Sequence, residues 1–238
     1  MKAALFALCI LPIFVLPDRP APPSHDLWHA LLQQHVAPSG RVDYPGFQKD
    51  MDLLEEYLDR LAAHAPEDDW TRVEKLAYWI NAYNAFTVKL VAEHYPVSSI
   101  MDINEGKVWE ERVITLGGET LTLQEMEDVK LREEIGDPRI HFAINCAALS
   151  CPPLYNEAYR PGNVDRLLDE RTRAFIRHEG YNFISPNRLE LSKIFEWYGS
   201  DFGALIPFLN HYLEHPIEPD ASITYRPYNW QLNGTSGN

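Results

Sequence analysis

Residues 76–88 read Leu-Ala-Tyr-Trp-Ile-Asn-Ala-Tyr-Asn-Ala-Phe-Thr-Val, an apolar and aromatic stretch that carries two asparagines. The pattern predicts a helix that begins near the acidic residues after Pro66, which suit the positive end of a helix dipole, and continues through Ala92. A helix that is apolar on every face is buried, so we expect this one to lie in the core. Asn81 and Asn84 share one of its faces. Because buried amides need partners, they either bond neighbouring loop backbone or line a polar site.

The remaining patterns predict shorter elements on both sides of this helix. Ser24 and Asp43 are placed to cap two amphipathic helices. The other predicted elements are a Gly-Gly hairpin over 113–123, an acidic helix over 124–134, a buried strand over 139–145, a helix over 164–176, a short strand over 189–191 and a last helix over 202–213. Helices dominate, so we predict a mainly helical α+β fold with a small antiparallel sheet. Residues 23–238 are expected to form a single domain.

The N-terminal segment has the pattern of a secretory signal peptide. Residues 3–16 form an uncharged apolar run behind Lys2, and a proline-rich stretch follows up to Pro23. The run is shorter than the roughly 20 apolar residues that span a bilayer. We therefore assign residues 1–22 to the signal peptide and its junction, and predict export to the periplasm or the extracellular space with no membrane span after cleavage. An uncleaved signal anchor is the alternative.

Charge and motif content exclude several classes of protein. The formal net charge is −14, and Lys and Arg form no run longer than two, so the electrostatic footprint of a nucleic-acid binder is absent. The sequence contains no glycine-rich phosphate loop and no dinucleotide fingerprint, so we predict no cofactor. Histidine pairs at helical spacing, His25 with His29 and His211 with His215, are interpreted as solvent-facing, and no metal site is predicted. The expected partner is a small-molecule or peptide ligand.

Residues 137–153 read Asp-Pro-Arg-Ile-His-Phe-Ala-Ile-Asn-Cys-Ala-Ala-Leu-Ser-Cys-Pro-Pro, and they raise the question of thiol chemistry. A cysteine nucleophile needs a nearby base, usually histidine, and a third group that orients the base. If this run is a strand, His141 and Asn145 share one face while Cys146 lies on the other. Cys146 then meets His141 only where the strand bulges or ends early, whereas Cys151 follows in a loop and is freer. The pattern therefore leaves both cysteines as candidate nucleophiles.

A disulfide is the competing interpretation of the two cysteines. Exported proteins fold in an oxidising compartment, where paired cysteines tend to become bonded. A Cys146–Cys151 bond would close a small loop and fix the proline-rich turn. The spacing is poor for a redox motif, because four residues separate the cysteines. Nearby, Glu127 belongs to a carboxylate cluster and is placed to turn inward toward His141.

Together the motifs resemble the DUF547 family, a domain of unknown function found in exported bacterial proteins and in some plant proteins. The resemblance covers approximately residues 40–215 and rests on residues 41–44, 78–85, 137–146, 150–153, 191–195, 197–198 and 201–202. It implies no particular activity, because the family is named for lacking a known one. One departure stands out. Where the family usually shows Ile-Glu-His, this chain has Met126-Glu127-Asp128, so the histidine is replaced by an aspartate.

The buried helix followed by a histidine-bearing strand is also loosely similar to papain and transglutaminase cores, in which a helix presents the cysteine. Here the helix offers Asn81 where that similarity would want a thiol. Two functional hypotheses follow. The first is an exported thiol-dependent hydrolase or transferase acting on an amide, peptide or thioester, with Cys151 or Cys146 as nucleophile, His141 as base, Glu127 beside them, and Asn81, Asn84 or Asn145 orienting the base or stabilising an oxyanion. The second is a non-catalytic ligand-binding module with a structural disulfide.

Overall fold

The computed structural model describes residues 21–111 and 113–235. The apolar run at residues 3–16, which carries the predicted signal peptide, lies outside the described residues. Within the two described ranges, no helix combines the length and apolar character needed to cross a bilayer.

The described helices and strands confirm a mainly helical α+β fold. They follow the chain in this order: α1 Asp26–His35, α2 Tyr44–Lys49, α3 Met51–Ala63, α4 Arg72–His94, a 3₁₀ segment Ile100–Gly106, β1 Ile114–Leu116, β2 Glu119–Leu121, α5 Leu123–Glu125 continuing as the π-helix Met126–Glu133, a 3₁₀ helix Pro138–Phe142, α6 Val164–Arg177, β3 Phe183–Ile184, β4 Arg188–Leu191, α7 Ile194–Trp197, a 3₁₀ helix Gly199–Phe202, α8 Leu205–Asn210 and β5 Ser222–Tyr225. Strands β1 and β2 form the predicted antiparallel hairpin. The second sheet is mixed, because β4 pairs antiparallel with β3 and parallel with β5.

Helix α4 is the buried helix that the aromatic stretch predicts. Thr71 and Glu74 form a capping box at its N-terminus, where each side chain bonds the other residue's backbone N–H. The helix runs for 23 residues, and Tyr78 and Ile80 in its middle are fully buried. It packs against α2, α3, α6 and the π-helix, and so forms the centre of the larger apolar cluster.

The segment predicted as a strand, residues 139–145, is instead the 3₁₀ helix Pro138–Phe142 followed by irregular chain, so that prediction is wrong. Asp137 accepts a hydrogen bond from the backbone N–H of Arg139 at 3.0 Å, and proline fills the first helical position. An aspartate cap followed by proline is a helix start, and this local signal overrides the β-branched and aromatic content of the run. The alternation of strand faces that separated His141 from one cysteine therefore does not apply.

The predicted acidic helix is present, but most of it is wound as the π-helix Met126–Glu133. Such segments are rare and often occur at functional sites. Its wider turn carries Glu127 and Asp128 on the side that faces the cavity described below. The predicted last helix is shortened to α8, because Gly203, with a φ of 62°, ends the preceding 3₁₀ helix in the left-handed region.

Two apolar clusters meet at the 3₁₀ helix Pro138–Phe142. The larger contains side chains of α1 to α4, the hairpin and the start of α6, and the smaller contains side chains of the end of α6, β4, α7 and α8. Ile140 packs in the larger cluster and Phe142 in the smaller. His141 therefore stands at the boundary between them.

The C-terminal tail, residues 228–235, crosses the segment that carries both cysteines. We call that segment, residues 145–151, the cysteine loop. Leu149 donates its backbone N–H to Gln231 at 2.8 Å, and Asn233 donates to Ala147 at 2.9 Å. The tail also bonds the backbone of two other segments, through Leu232 to Ser98 and through Thr235 to Val42. The tail is thus hydrogen-bonded both to the cysteine loop and to two other parts of the chain, and it fixes the position of the loop.

Candidate functional site

A cavity of about 390 Å³ lies beside the cysteine loop. Four of its lining residues are those that the sequence predicts as catalytic: Glu127, His141, Cys146 and Cys151. The other lining residues are mainly aromatic or apolar, namely Tyr83, Trp109, Gln124, Asp128, Ile144, Pro152, Ile194, Trp197, Tyr198, Tyr228 and Trp230. Residues from the π-helix, the 3₁₀ helix, the cysteine loop, α7 and the tail therefore converge on one space.

His141 is held rigidly in the cavity wall. Its side chain is almost fully buried, its ring stacks on Tyr198 with a centroid distance of 4.0 Å, and its Nε2 lies 2.8 Å from Asp201 Oδ2. Burial lowers the pKa of His141 to about 4, although the Asp201 carboxylate opposes the shift. The imidazole is therefore neutral at neutral pH. Because a carboxylate only accepts, Nε2 carries the proton and Nδ1 keeps the lone pair.

The other ring nitrogen of His141 is buried and makes no hydrogen bond to any described residue. Buried polar atoms normally have partners, so an orphaned acceptor in a cavity wall calls for an explanation. A histidine that acts as a general base needs a ring nitrogen whose lone pair is not already used in a hydrogen bond, and Nδ1 of His141 meets this condition.

Asp201 is fixed in turn by Arg132. The guanidinium donates two hydrogen bonds to the carboxylate, from Nε to Oδ2 at 2.6 Å and from Nη2 to Oδ1 at 3.0 Å. A third bond, from Nη1, reaches Asp128 Oδ1 at 2.5 Å. Hydrogen bonding by Arg132 holds the pKa of Asp201 well below its usual range, so this carboxylate stays charged and keeps orienting His141.

Glu127 is a second titratable side chain in the cavity lining. Burial of its carboxyl raises its pKa above the ordinary value, and the neighbouring charge of Asp128 adds to the shift. Hydrogen bonds with Tyr198 and Tyr83 partly oppose it. Both hydroxyls stay protonated, because burial raises the pKa of each tyrosine. A carboxyl with a raised pKa holds its proton more readily than an ordinary glutamate does.

The two cysteines are free thiols whose sulfur atoms lie 2.6 Å apart. Cys151 Sγ also accepts the backbone N–H of Cys146 at 2.8 Å, and Cys146 Sγ lies 3.1 Å from the Tyr228 hydroxyl. Burial opposes ionisation of Cys146, but hydrogen bonds with Cys151 and Tyr228 outweigh it and lower the pKa of the Cys146 thiol. Burial and the bond to Cys146 raise the pKa of Cys151 well above its usual value. Cys146, which is also the more exposed of the two, is therefore the stronger candidate for the nucleophile.

Asn84 and Asn145 support the cysteine loop from behind. Asn84 donates to the Ala143 carbonyl at 3.0 Å and accepts the backbone N–H of Asn145 at 2.8 Å. Asn145 donates to the Pro152 carbonyl at 2.7 Å and accepts the backbone N–H of Ala147 at 2.9 Å. These bonds fix the path of the chain from the 3₁₀ helix through both cysteines.

Asn81 has the same kind of environment one helical turn away. It donates to the carbonyl of Tyr159 at 2.7 Å and accepts that residue's N–H at 3.1 Å. Within the described part of the chain, the cavity lining includes none of Asn81, Asn84 and Asn145. The structure places the three amides on backbone partners, and their predicted part in binding or oxyanion stabilisation stays a prediction.

The interpretation of the paired histidines as solvent-facing is wrong for His25. His25 is buried and its Nδ1 lies 2.8 Å from the Tyr57 hydroxyl. In residues 21–111 and 113–235, no three His, Cys, Asp or Glu side chains are arranged to hold a metal ion.

Reasoning from individual residues missed Asp201, Arg132 and the aromatic residues of the cavity. In the sequence, residues 197–198 and 201–202 stand out only through the family resemblance, which is the one feature that points to Asp201. Tyr228 and Trp230 belong to no motif that the sequence analysis recognised. They reach the cavity because backbone hydrogen bonds of the tail fix its position.

The comparisons with known proteins give one match. A family model described as "Protein of unknown function, DUF547" matches residues 67–176. No curated protein and no solved structure matches the chain, so the loose similarity to papain and transglutaminase cores has no structural support. The matched range contains Glu127, His141 and both cysteines, whereas Asp201 lies beyond it. The match supports the assignment of residues 67–176 to the DUF547 family, in agreement with the motifs of the sequence.

Proposed function

We propose that this protein is a cysteine-dependent hydrolase or transferase that acts on an amide, peptide or thioester. One observation carries the proposal. Cys146 and His141 line the same cavity, and His141 is held through Nε2 by Asp201 while its Nδ1 is left without a partner among the described residues. A nucleophile, a base and a group that orients the base are the components of thiol catalysis.

In the proposed reaction the Cys146 thiol passes its proton to His141 Nδ1, and the thiolate attacks the carbonyl carbon of the substrate. A carbon–sulfur bond forms while the carbonyl π electrons move to oxygen. The tetrahedral intermediate then collapses, the bond to the leaving nitrogen or sulfur breaks, and the leaving group takes the proton from His141. Water, deprotonated by His141, attacks the resulting thioester, which releases the acid and restores the thiol. In a transferase an amine or a thiol takes the place of water.

The surrounding residues have defined parts in this scheme. Asp201, fixed by Arg132, keeps the proton of His141 on Nε2. The Tyr228 hydroxyl donates to the Cys146 thiolate. Glu127, whose pKa is raised by burial, is a second group that can protonate a leaving group.

The first test uses p-nitrophenyl acetate, a small activated ester that needs no specific binding. The wild-type protein should release a burst of nitrophenolate and carry an acetyl group on Cys146 in peptide mass mapping. Cys146→Ser should lose both signals, and the matched variant Cys151→Ser should keep them. An undiminished burst in Cys146→Ser, or acetylation of wild-type Cys146 no faster than that of free cysteine, would overturn the proposal.

A second test asks whether Asp201 acts by orienting His141 or only through its negative charge. Asp201 and Asp128 both bond Arg132, but of the two only Asp201 bonds His141. Asp201→Asn should reduce the acetylation rate by on the order of 10³-fold, because the amide no longer enforces the required tautomer. Asp128→Asn is the control and should leave the rate within a few-fold of wild type. Equal losses in the two variants would contradict the assigned part of Asp201.

A non-catalytic ligand-binding module is the second candidate. The aromatic lining of the cavity favours it, since such surfaces bind ligands whether or not chemistry follows. The structural disulfide predicted with this candidate is not seen, because Cys146 and Cys151 are free thiols in the structure. A protein that binds a ligand in this cavity but shows no acetylation of Cys146 would support this candidate.

We also propose export, on the basis of the apolar run behind Lys2 and the proline-rich stretch that follows it. The N-terminal residue of the protein, purified after expression with its full N-terminal segment, tests this. Mature protein that begins near the proline-rich stretch supports export with cleavage, and protein that retains the apolar run contradicts cleavage and favours the signal anchor.

A further inference from the structure

One side of the cavity is an aromatic wall made of Trp109, Trp197, Tyr228 and Trp230. Trp230 contacts the other three rings: its centroid lies 5.9 Å from that of Trp109, 6.1 Å from that of Trp197 and 4.6 Å from that of Tyr228. Trp197 is 46 % exposed, which is unusual for a side chain of this size. The four rings therefore form a continuous aromatic surface in the cavity lining.

The charged groups of the cavity are acidic. Glu127 and Asp128 line it, and the lining contains neither lysine nor arginine among the described residues. The nearest guanidinium, that of Arg132, is bound by Asp128 and Asp201, so its charge is already matched by two carboxylates. The cavity therefore repels anions and favours cations.

These two observations point to the same kind of ligand. The faces of tryptophan and tyrosine rings carry partial negative charge and attract cations, most strongly at tryptophan. Carboxylates beside an aromatic surface add to this attraction. A neutral sugar would also stack on the rings, but it would gain nothing from the acidic charge.

We propose that the aromatic wall binds an organic ammonium group. Its position relative to the thiol indicates how such a ligand lies. Tyr228 belongs to the wall through its ring and touches Cys146 Sγ through its hydroxyl at 3.1 Å. Only one tyrosine ring therefore separates the cation from the sulfur. The substrate carries its ammonium a few bonds from the carbonyl that Cys146 attacks. This last step rests on the proposed function, whereas ammonium binding does not.

Binding is tested without chemistry in the double variant Cys146→Ser/Cys151→Ser. The probes are choline and its neutral isostere 3,3-dimethylbutan-1-ol, and the readout is tryptophan fluorescence, since three of the six tryptophans belong to the wall. Choline should bind at least several-fold more tightly than the alcohol, and added salt should weaken it. Trp230→Leu should weaken choline binding by about tenfold. The control Phe183→Leu, an exposed aromatic residue that does not line the cavity, should leave it unchanged.

Equal affinity for choline and the alcohol, or no saturable fluorescence change with choline, would overturn the proposal. Reaction is tested separately with acetylthiocholine and S-(3,3-dimethylbutyl) thioacetate on the wild-type protein. Faster acetylation of Cys146 by the charged thioester supports the assigned substrate class. Equal acetylation by both thioesters means that the thiol chemistry holds and the assigned substrate class fails. Choline binding without acetylation means that the ammonium assignment holds and the proposed enzymatic function fails.

Discussion

Acidification from pH 7 to pH 5 should destabilise the fold through its buried histidines, and His25 allows the effect to be isolated. This histidine is 5 % exposed, and its Nδ1 lies 2.8 Å from the Tyr57 hydroxyl. Burial and the positive charge of Arg160 lower the pKa of His25 to about 4, while Asp26 opposes the shift. In the unfolded chain its pKa returns to about 6.5.

The sign of the effect follows from proton binding. Between pH 6.5 and 4 the unfolded chain binds a proton at this histidine that the folded protein does not, so the free energy of unfolding falls as the pH falls. From pH 7 to pH 5 the two pKa values give a loss of about 2 kcal/mol. His141, which has a similarly lowered pKa, contributes a comparable loss. Glu127 acts in the opposite direction, because its raised pKa lets the folded protein take up a proton first.

Urea unfolding at pH 7 and pH 5, on wild type and on His25→Gln, measures the contribution of His25 alone. Glutamine keeps a hydrogen-bonding partner for Tyr57 but does not titrate. Wild type should lose about 2 kcal/mol more than the variant between the two pH values, because His141 and Glu127 are common to both proteins and cancel. Parallel losses in the two proteins would refute the reasoning.

Three further predictions concern the cysteine loop and its supports. Tyr228→Phe should slow alkylation of Cys146 by iodoacetamide at neutral pH about tenfold, because a hydrogen bond to a charged sulfur is worth about 1.5 kcal/mol, and an unchanged rate would count against that bond. Asn84→Ala removes two buried hydrogen bonds to the backbone near the start of the cysteine loop and should lower the free energy of unfolding by about 2 to 4 kcal/mol in urea, so a loss below about 1 kcal/mol would contradict its supporting part. Diamide should bond Cys146 to Cys151, whose sulfur atoms already lie 2.6 Å apart, with loss of both free thiols in a thiol count and recovery on reduction, and a Cys146 that can still be alkylated after diamide would disprove this.

The parts of the fold that were predicted from the sequence are those whose pattern is local and long. Helix α4 has many consecutive apolar residues, and α6 has a clear apolar side, so both helices are predicted. The bounds of α6 agree with the prediction to within one residue, whereas α4 begins at Arg72, after the acidic residues that the prediction took as its start. The strand predicted over residues 139–145 failed because a two-residue helix start, Asp137-Pro138, decided the local conformation against the composition of the residues that follow.

The same limit applies to the site. Glu127, His141 and both cysteines lie within a short length of chain, so a cluster of reactive residue types was visible in the sequence. Asp201 is 60 residues from the histidine that it orients, and that contact depends on how the smaller apolar cluster packs against the 3₁₀ helix. No pattern in a single sequence encodes that distance in space.

The contacts of the C-terminal tail affect the order in which parts of the protein fold. Its contacts join residues far apart in the chain, up to 193 positions for the hydrogen bond between Arg41 and Gly234. Contacts of such separation form late in folding, because they close large loops at a high cost in chain entropy. The thiol pair is then present in a partly folded chain before Tyr228 and Trp230 cover it. During refolding, helical structure should therefore be recovered before the two thiols are protected from solvent. In the interval between these two events the thiols are exposed to oxidation and to mispairing.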